Sequence, residues 1–310
     1  PMRLPELRAL FPRDPGPVDD EARREEGDVH LPQRAHRPGR VARLSWASTE
    51  GLRRHDEMCK HIERMIKRPT RRSAPGPLAS RGEHWEVLRY TADGVQRAAV
   101  LIAKLALGWV PAGVVKGHRI GEIIAIEKPN GGLRPLIMSS VLRRMGMTAV
   151  ARVLKVETRA AAGPHQLGIG TADGCAKAYH SVCVLARQRP DKVVMAYDVK
   201  AAHQSLFRDF MKAEVHAHCP ELDEPLAVWY PDDEVTEHWW RNAKGDVIEI
   251  YSERGVDQGD PLANAAFGIS TRRLAQESLE ALLALDPEAQ LFQYADDTQS
   301  YLDAEYVPQA

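Results

Sequence analysis

The amino-acid sequence predicts an α+β fold, and three observations carry that prediction. Strand-like and helix-like segments follow one another irregularly, without the βαβ succession of a doubly wound sheet. Two stretches, "EIIAIEKPNGGLRPLIM" (residues 122–138) and "WWRNAKGDVIEIY" (239–251), read as hairpins, apolar runs closed by a Pro-Asn-Gly-Gly or Lys-Gly turn. A third, "LFQYADDTQSYL" (291–302), puts Asp296 and Asp297 at the tip of a tight hairpin.

Taken in order, residues 1–80 hold ten prolines and fifteen arginines and read as a basic, largely irregular extension. Inside it, residues 52–68 have the period of a basic helix with Leu52, Cys59, Ile62 and Ile66 on one side. Asp93 is placed to cap a helix through "VQRAAVLIAKLAL" that Gly108 ends. Ser140 is the matching cap for "VLRRMGMTAVARVLK", and a further helix runs from about Asp173 to Arg187. "KVVMAYD" is β-rich and leads into a helix over roughly 201–217. Asp260, with Pro261 at the first helical position, opens one long helix towards Leu285.

Composition narrows the function. Hydrophobic content of 44% and charged content of 27% are ordinary for a globular chain. No run approaches the roughly 20 apolar residues of a membrane helix, and the first residues are too charged and proline-rich for a signal peptide. Four irregularly spaced cysteines imply a reducing, intracellular setting rather than a disulfide framework. "HAHC" (His216, His218, Cys219) reads either as half a metal site or as ordinary residues at a helix end. The net charge of −1 conceals a gradient: residues 34–72 carry twelve Lys/Arg against four Asp/Glu, and residues 221–310 five against twenty. The basic front end suits a polyanion or is simply a solvated arm.

In "VVMAYDVKAAHQSLF" the strand alternation puts Val194, Ala196 and Asp198 on one side, with Asp198 at the strand end. Taken alone, Asp296-Asp297 is a turn. Brought beside Asp198, the pair becomes a cleft of three carboxylates, which repel one another unless cations neutralise them. Oxygen-only ligands suit Mg²⁺ or Mn²⁺, and two such ions can activate an attacking hydroxyl and stabilise a leaving pyrophosphate.

In this order, "IEKPNGGLRPL", "HQLGIGTADGCAKAYHSV", "AYDVKAAHQS", "GVDQGDPLANAAF" and "QYADD" resemble the motifs of reverse transcriptases, nearest to the non-LTR (LINE-like) retrotransposon type, over about residues 120–303. The resemblance implies a right-hand polymerase: fingers and their connection to the palm over 81–190, and a palm over 191–310 cut after the "YADD" hairpin, with the thumb missing. It implies an RNA-directed DNA polymerase of a retroelement that uses an RNA template, a DNA or RNA primer and dNTPs. Two Mg²⁺ ions, or Mn²⁺, would be held by Asp198, Asp296, Asp297 and the carbonyl of Val199. Lys128 and Arg134 would neutralise the triphosphate, Gln258 would bond near the nascent pair, and Gly255 and Gly259 would let backbone approach template and nucleotide. Tyr294 would pack near the primer end. Five residues after the first aspartate the family has Phe or Tyr against a ribose 2′-hydroxyl; here the residue is His203, followed by Gln204. An RNA-dependent RNA polymerase, or a catalytically inactive copy that only binds nucleic acid, are the alternatives.

Overall fold

A computed structural model describes residues 4–11, 46–129, 131–232 and 234–309. It is mixed, with helices and two separate sheets, as the α+β expectation requires. The helices are α1 (Leu4–Ala9), α2 (Thr49–Lys67), α3 (Gly94–Ala106), α4 (Ala112–Arg119), α5 (Val141–Val153), α6 (Lys155–Ala161), α7 (Gly174–Gln188), α8 (Arg208–His218), α9 (Asp223–Trp229), α10 (Ala263–Ser270) and α11 (Arg272–Leu285), beside shorter helical turns. The strands are β1 (Gly121–Glu127), β2 (Leu133–Ser139), β3 (Lys192–Tyr197), β4 (Thr236–Arg241), β5 (Val247–Ser252), β6 (Gln290–Tyr294) and β7 (Asp297–Asp303).

The main core is helical. It gathers Met58, Ile62 and Ile66 of α2, Ile102 and Ala103 of α3, Met147 and Val150 of α5, Met211 of α8 and Trp229 of α9. Gly146 makes the α3–α5 approach possible, because a Cβ there would stand 2.7 Å from Cβ of Ala106. α2 forms where its period places it, capped by Ser48, whose side chain accepts from the Gly51 amide. Its inward face is His55, Met58, Ile62 and Ile66, while Leu52, expected inside, is exposed. Burying Met58, Ile62 and Ile66 contributes roughly 1.5–3 kcal/mol each. Residues 49–67 are therefore part of the core rather than of an irregular extension; residues 12–45, which include much of the expected extension, lie outside the described residues.

The first sheet has the order β2-β1-β4-β5. Two antiparallel hairpins are joined by a parallel contact in which Gly121 faces His238. Ile123, Ile137, Trp240 and Ile250 form its core, on which Leu7 of α1 and Phe11 pack. Both expected hairpins are present, although Asn130 of the first turn lies outside the described residues. The second sheet, β3-β7-β6, is antiparallel and packs Leu291 and Leu302 against Ala275 and Leu282 of α11. A buried ion pair fixes one end of this sheet: Lys192 Nζ lies 2.7 Å from Asp286 Oδ2.

Two expected helices are broken. The 261–285 helix splits at Thr271, where Ser270 and Thr271 donate their hydroxyls back to the Ala266 and Phe267 carbonyls (2.7 and 3.1 Å), a pairing that bends helices. The 201–217 helix is interrupted at Leu206 and Phe207, both extended. The Leu206 carbonyl is needed elsewhere, since it accepts from the Gly255 amide at 2.7 Å.

Candidate active site

Strand β3 pairs with β7 in a register that sets Tyr197 opposite Thr298. One step further, past the end of β3, Asp198 comes level with Asp297, the first residue of β7. Tyr294 pairs directly with Asp297, so the hairpin turns on Ala295 and Asp296 and not on the two aspartates. This one-residue shift matters. Asp296 sits in the turn and Asp297 in the strand, so the two carboxylates occupy different backbone environments. The strained position is Ala295, with φ of +57°.

Among the described residues no hydrogen bond or ion pair reaches the carboxylates of Asp198, Asp296 or Asp297. Partial desolvation, then the neighbouring Asp296 and Asp198 charges, raise Asp297 above the ordinary carboxylate range, and Arg134 opposes them. Asp297, the first residue of β7, thus feels the charges of Asp296 and Asp198 and, from β2 of the first sheet, that of Arg134. No group of three His, Cys, Asp or Glu among the described residues is arranged to hold a metal ion by itself. The donor set still fits Mg²⁺, which takes one or two carboxylates and completes its shell with waters and substrate phosphates.

The turn is held from behind. Gln166, fully buried, accepts from the Ala295 amide through Oε1 at 2.9 Å and donates from Nε2 to the Ala295 carbonyl at 2.9 Å. The same Oε1 accepts from the Gly168 amide at 2.9 Å. On either side of it, the Leu167 amide donates to the Gln293 carbonyl and the Gln293 amide to the His165 carbonyl. Sequence reasoning quoted this stretch only for its resemblance and assigned Gln166 no role. A glutamine followed by Leu167 and the glycines at 168, 170 and 174 was the available signal.

The "GVDQGD" turn is anchored by a knot of buried charge. Arg143 of α5 reaches Asp257 Oδ2 at 3.0 Å and Asp260 Oδ2 at 2.7 Å. The Tyr230 hydroxyl donates to Asp260 at 3.0 Å, and His238 Nε2 lies 2.9 Å from Asp257 Oδ1. The Gly121 amide points at His238 Nδ1 (3.1 Å), so that nitrogen is the acceptor and Nε2 carries the proton. Burial alone would raise Asp257; the cationic and donor groups of His238, Arg143 and Arg208 more than reverse it and hold the carboxyl well below its usual range. None of these partners was legible locally, since Arg143 lies 114 and 117 residues before Asp257 and Asp260.

The two glycines of this turn meet the chain's own backbone. A Cβ on Gly255 (φ +66°) would stand 2.1 Å from the His203 carbonyl, and one on Gly259 (φ +118°) 2.7 Å from that of Ile137. Between them, the Gln258 carbonyl accepts from the Ile137 amide at 2.8 Å, and its side chain accepts from Gln204 at 3.4 Å. His203 is buried, 2.9 Å from Asn264 Oδ1 and stacked on Phe267. Lys128 and Arg134 line an open cleft with Ile126, Glu127 and Pro129 at the first hairpin. Val199 and Tyr294 are exposed beside the carboxylates. The "HAHC" residues do not form a centre: His216 pairs with Asp223 at 2.5 Å, and burial pushes the Cys219 thiol up to about 12.

Residues 126–307 match the model of the family described as reverse transcriptase (RNA-dependent DNA polymerase). No curated protein matches. Among solved structures, the chain resembles apo telomerase from Candida tropicalis at 11% identity and a TM-score of 0.46, covering 85% of this chain and 58% of that one. A form of the same telomerase truncated from its C-terminal domain gives 12% identity, a TM-score of 0.44, and coverage of 73% and 57%. Telomerase from Candida albicans in complex with the TWJ fragment of telomeric RNA gives 12% and 0.46, covering 64% and 40%. The chain thus spans about half the length of the structures it resembles, and likenesses this remote carry no argument about the site.

Proposed function

The chain belongs to the reverse transcriptase (RNA-dependent DNA polymerase) family, and from that premise we propose that its carboxylate cluster transfers deoxynucleotides to a primer 3′-hydroxyl on an RNA template. One observation carries the reading. Asp198, Asp296 and Asp297 gather at one end of a single sheet with no ion-pair partner among the described residues, and Asp297 lies within the field of Arg134 from the opposite hairpin.

Asp198 and Asp296, with the carbonyl of Val199, would hold Mg²⁺, and Asp297 would sit on the primer side. Bound there, the ions lower the charge on the reacting oxygens and on the leaving pyrophosphate. The primer 3′-oxygen forms a bond to the α-phosphorus as the bond to pyrophosphate breaks. Lys128 offers the triphosphate a point charge and Arg134 a planar fork. Their setting on one hairpin supports a role in orienting the tail for in-line attack. Gln258, with its carbonyl tied to β2, has a fixed base from which to reach the nascent pair. His203 is the residue that would meet the 2′ position; its bonds to Asn264 and Phe267 make it a rigid wall, which supports deoxynucleotide selection. On this reading residues 81–190 supply the fingers and 191–310 the palm, although β4 and β5 of the latter complete the sheet of the former. The quoted motifs resemble the non-LTR, LINE-like type most nearly, which supports such a retroelement as the source.

Primer extension on an RNA template with Mg²⁺ tests this. The expected result is incorporation of dNTPs in preference to rNTPs, reduced about 10²–10³-fold by Asp296→Asn, the scale of losing one electrostatic element of such a site. Preference for rNTPs would favour an RNA-dependent RNA polymerase. Extension unaffected by Asp296→Asn would refute the assignment of the site.

A further inference from the structure

We propose that Gln166 is a positioning residue for the metal site, a clamp that holds the Ala295-Asp296 turn in the one backbone conformation that aims Asp296 at the cleft shared with Asp198. The inference rests on the reading of the carboxylate cluster given above.

Several independent features converge on it. Ala295 adopts a left-handed φ of +57°, which costs an L-residue roughly 1–2 kcal/mol and persists only where surroundings impose it. What imposes it is visible. The Gln166 amide makes two opposed hydrogen bonds, accepting from the Ala295 N–H and donating to the Ala295 C=O, both at 2.9 Å. Fixing both polar groups of one residue fixes the orientation of the peptide on each side of it. The second of these is the peptide that carries Asp296.

The clamp is itself braced. Gln166 is fully buried, and its Oε1 accepts a second bond from the Gly168 amide, so the side-chain amide cannot be flipped without losing a partner. Backbone bonds from Leu167 to Gln293 and from Gln293 to His165 tie the segment to β6 directly before the turn. The space is tight from two sides. A Cβ on Gly168 would stand 2.4 Å from the Ala295 nitrogen, and one on Gly268 would meet Gln166 Cγ at 3.2 Å. The clamp acts on the backbone of the turn, and through it on where the Asp296 carboxylate points.

The test is Mn²⁺ binding by the 310-residue chain, read by electron paramagnetic resonance, alongside thermal melting. Gln166→Met keeps length and volume and removes both polar groups. It is expected to weaken Mn²⁺ binding about tenfold in the folded protein and to speed hydrogen exchange at the Ala295 amide. Ala295→Gly added to Gln166→Met is expected to restore part of that affinity, because glycine enters the left-handed region without a clamp. Should Gln166→Met not fold, Gln166→Asn, which keeps the amide and shortens its reach, carries the same expectation. A lowered melting temperature with Mn²⁺ affinity unchanged would overturn the proposal and leave Gln166 a structural residue. Failure of the wild type to bind Mn²⁺ at all would instead refute the metal site, and the clamp would fall with it.

Discussion

Two carboxylate clusters, both drawn from segments far apart in sequence, are built on opposite principles. Around Asp257 and Asp260 the chain supplies its own cations and donors: Arg143, His238 and the Tyr230 hydroxyl saturate the oxygens, and every member is buried. Around Asp198, Asp296 and Asp297 it supplies negative charge and partial exposure, with Arg134, among the described residues, opposing the rise at Asp297. The first cluster is finished in that its carboxylates are neutralised within the fold. The second is unfinished among the described residues, and its repulsion would be relieved by a cation. The two clusters thus differ in whether the fold neutralises their carboxylates.

The largest expected effect comes from breaking the finished cluster. Arg143→Met leaves two buried carboxylates without their cation and should lower unfolding free energy by about 3–5 kcal/mol, measured by urea denaturation. A loss below about 1 kcal/mol would mean the aspartates find other partners and the contrast is overdrawn. Next, Gly255→Ala forces a Cβ to 2.1 Å from the His203 carbonyl at a positive φ. The strain and overpacking should cost about 2–4 kcal/mol together. Its urea midpoint should fall well below that of Gly131→Ala, where a Cβ meets open space at a similar φ of +80°.

The pH dependence should separate the clusters by sign. Asp257 is depressed in the folded state, so its contribution is present above the unfolded value of about 3.9 and is lost as pH falls below it. Asp297 is raised, so its contribution to stability is lost as pH rises through its elevated value. Urea midpoints taken from pH 3 upwards with chelator present should show a steep acid limb in the wild type. Asp297→Asn should remove the small opposing slope just above pH 4. The smallest effect is the neutral-pH stability of Asp297→Asn in chelator, a gain of about 0.5 kcal/mol, as relieving like charges across a strand pair should give. Mg²⁺, held by Asp198 and Asp296 in both proteins, should shrink that gain by neutralising the charge that Asp297 opposes.

What could be read from sequence was what short-range rules govern. The alternation in "VVMAYD" and the turn chemistry of "YADD" put Asp198 at a strand end and Asp296 in a hairpin turn, because a period of two and a tight turn are local properties, whereas their adjacency was implied only by the family resemblance. The same rules misplaced the turn by one residue. Asp tolerates unusual φ better than Ala, yet Ala295 takes it because Gln166, 129 residues away, grips both of its polar groups. Arg143 received no role from the sequence for a similar reason, since its partners Asp257 and Asp260 lie 114 and 117 residues on. Leu52 was expected inside α2 and is exposed, while His55 takes an inward place and stacks on Trp109. Packing partners decided that face, and the helical period alone could not.

The central claim is that the unfinished cluster is completed by a divalent cation. Thermal unfolding of the wild type and of Asp198→Asn, each in chelator and in saturating Mg²⁺, tests it most directly. At tenfold over the dissociation constant, a single site should stabilise the wild type by about 1.4 kcal/mol, and Asp198→Asn should lose most of that shift. An equal Mg²⁺ shift in both proteins, or none in the wild type, would contradict the account.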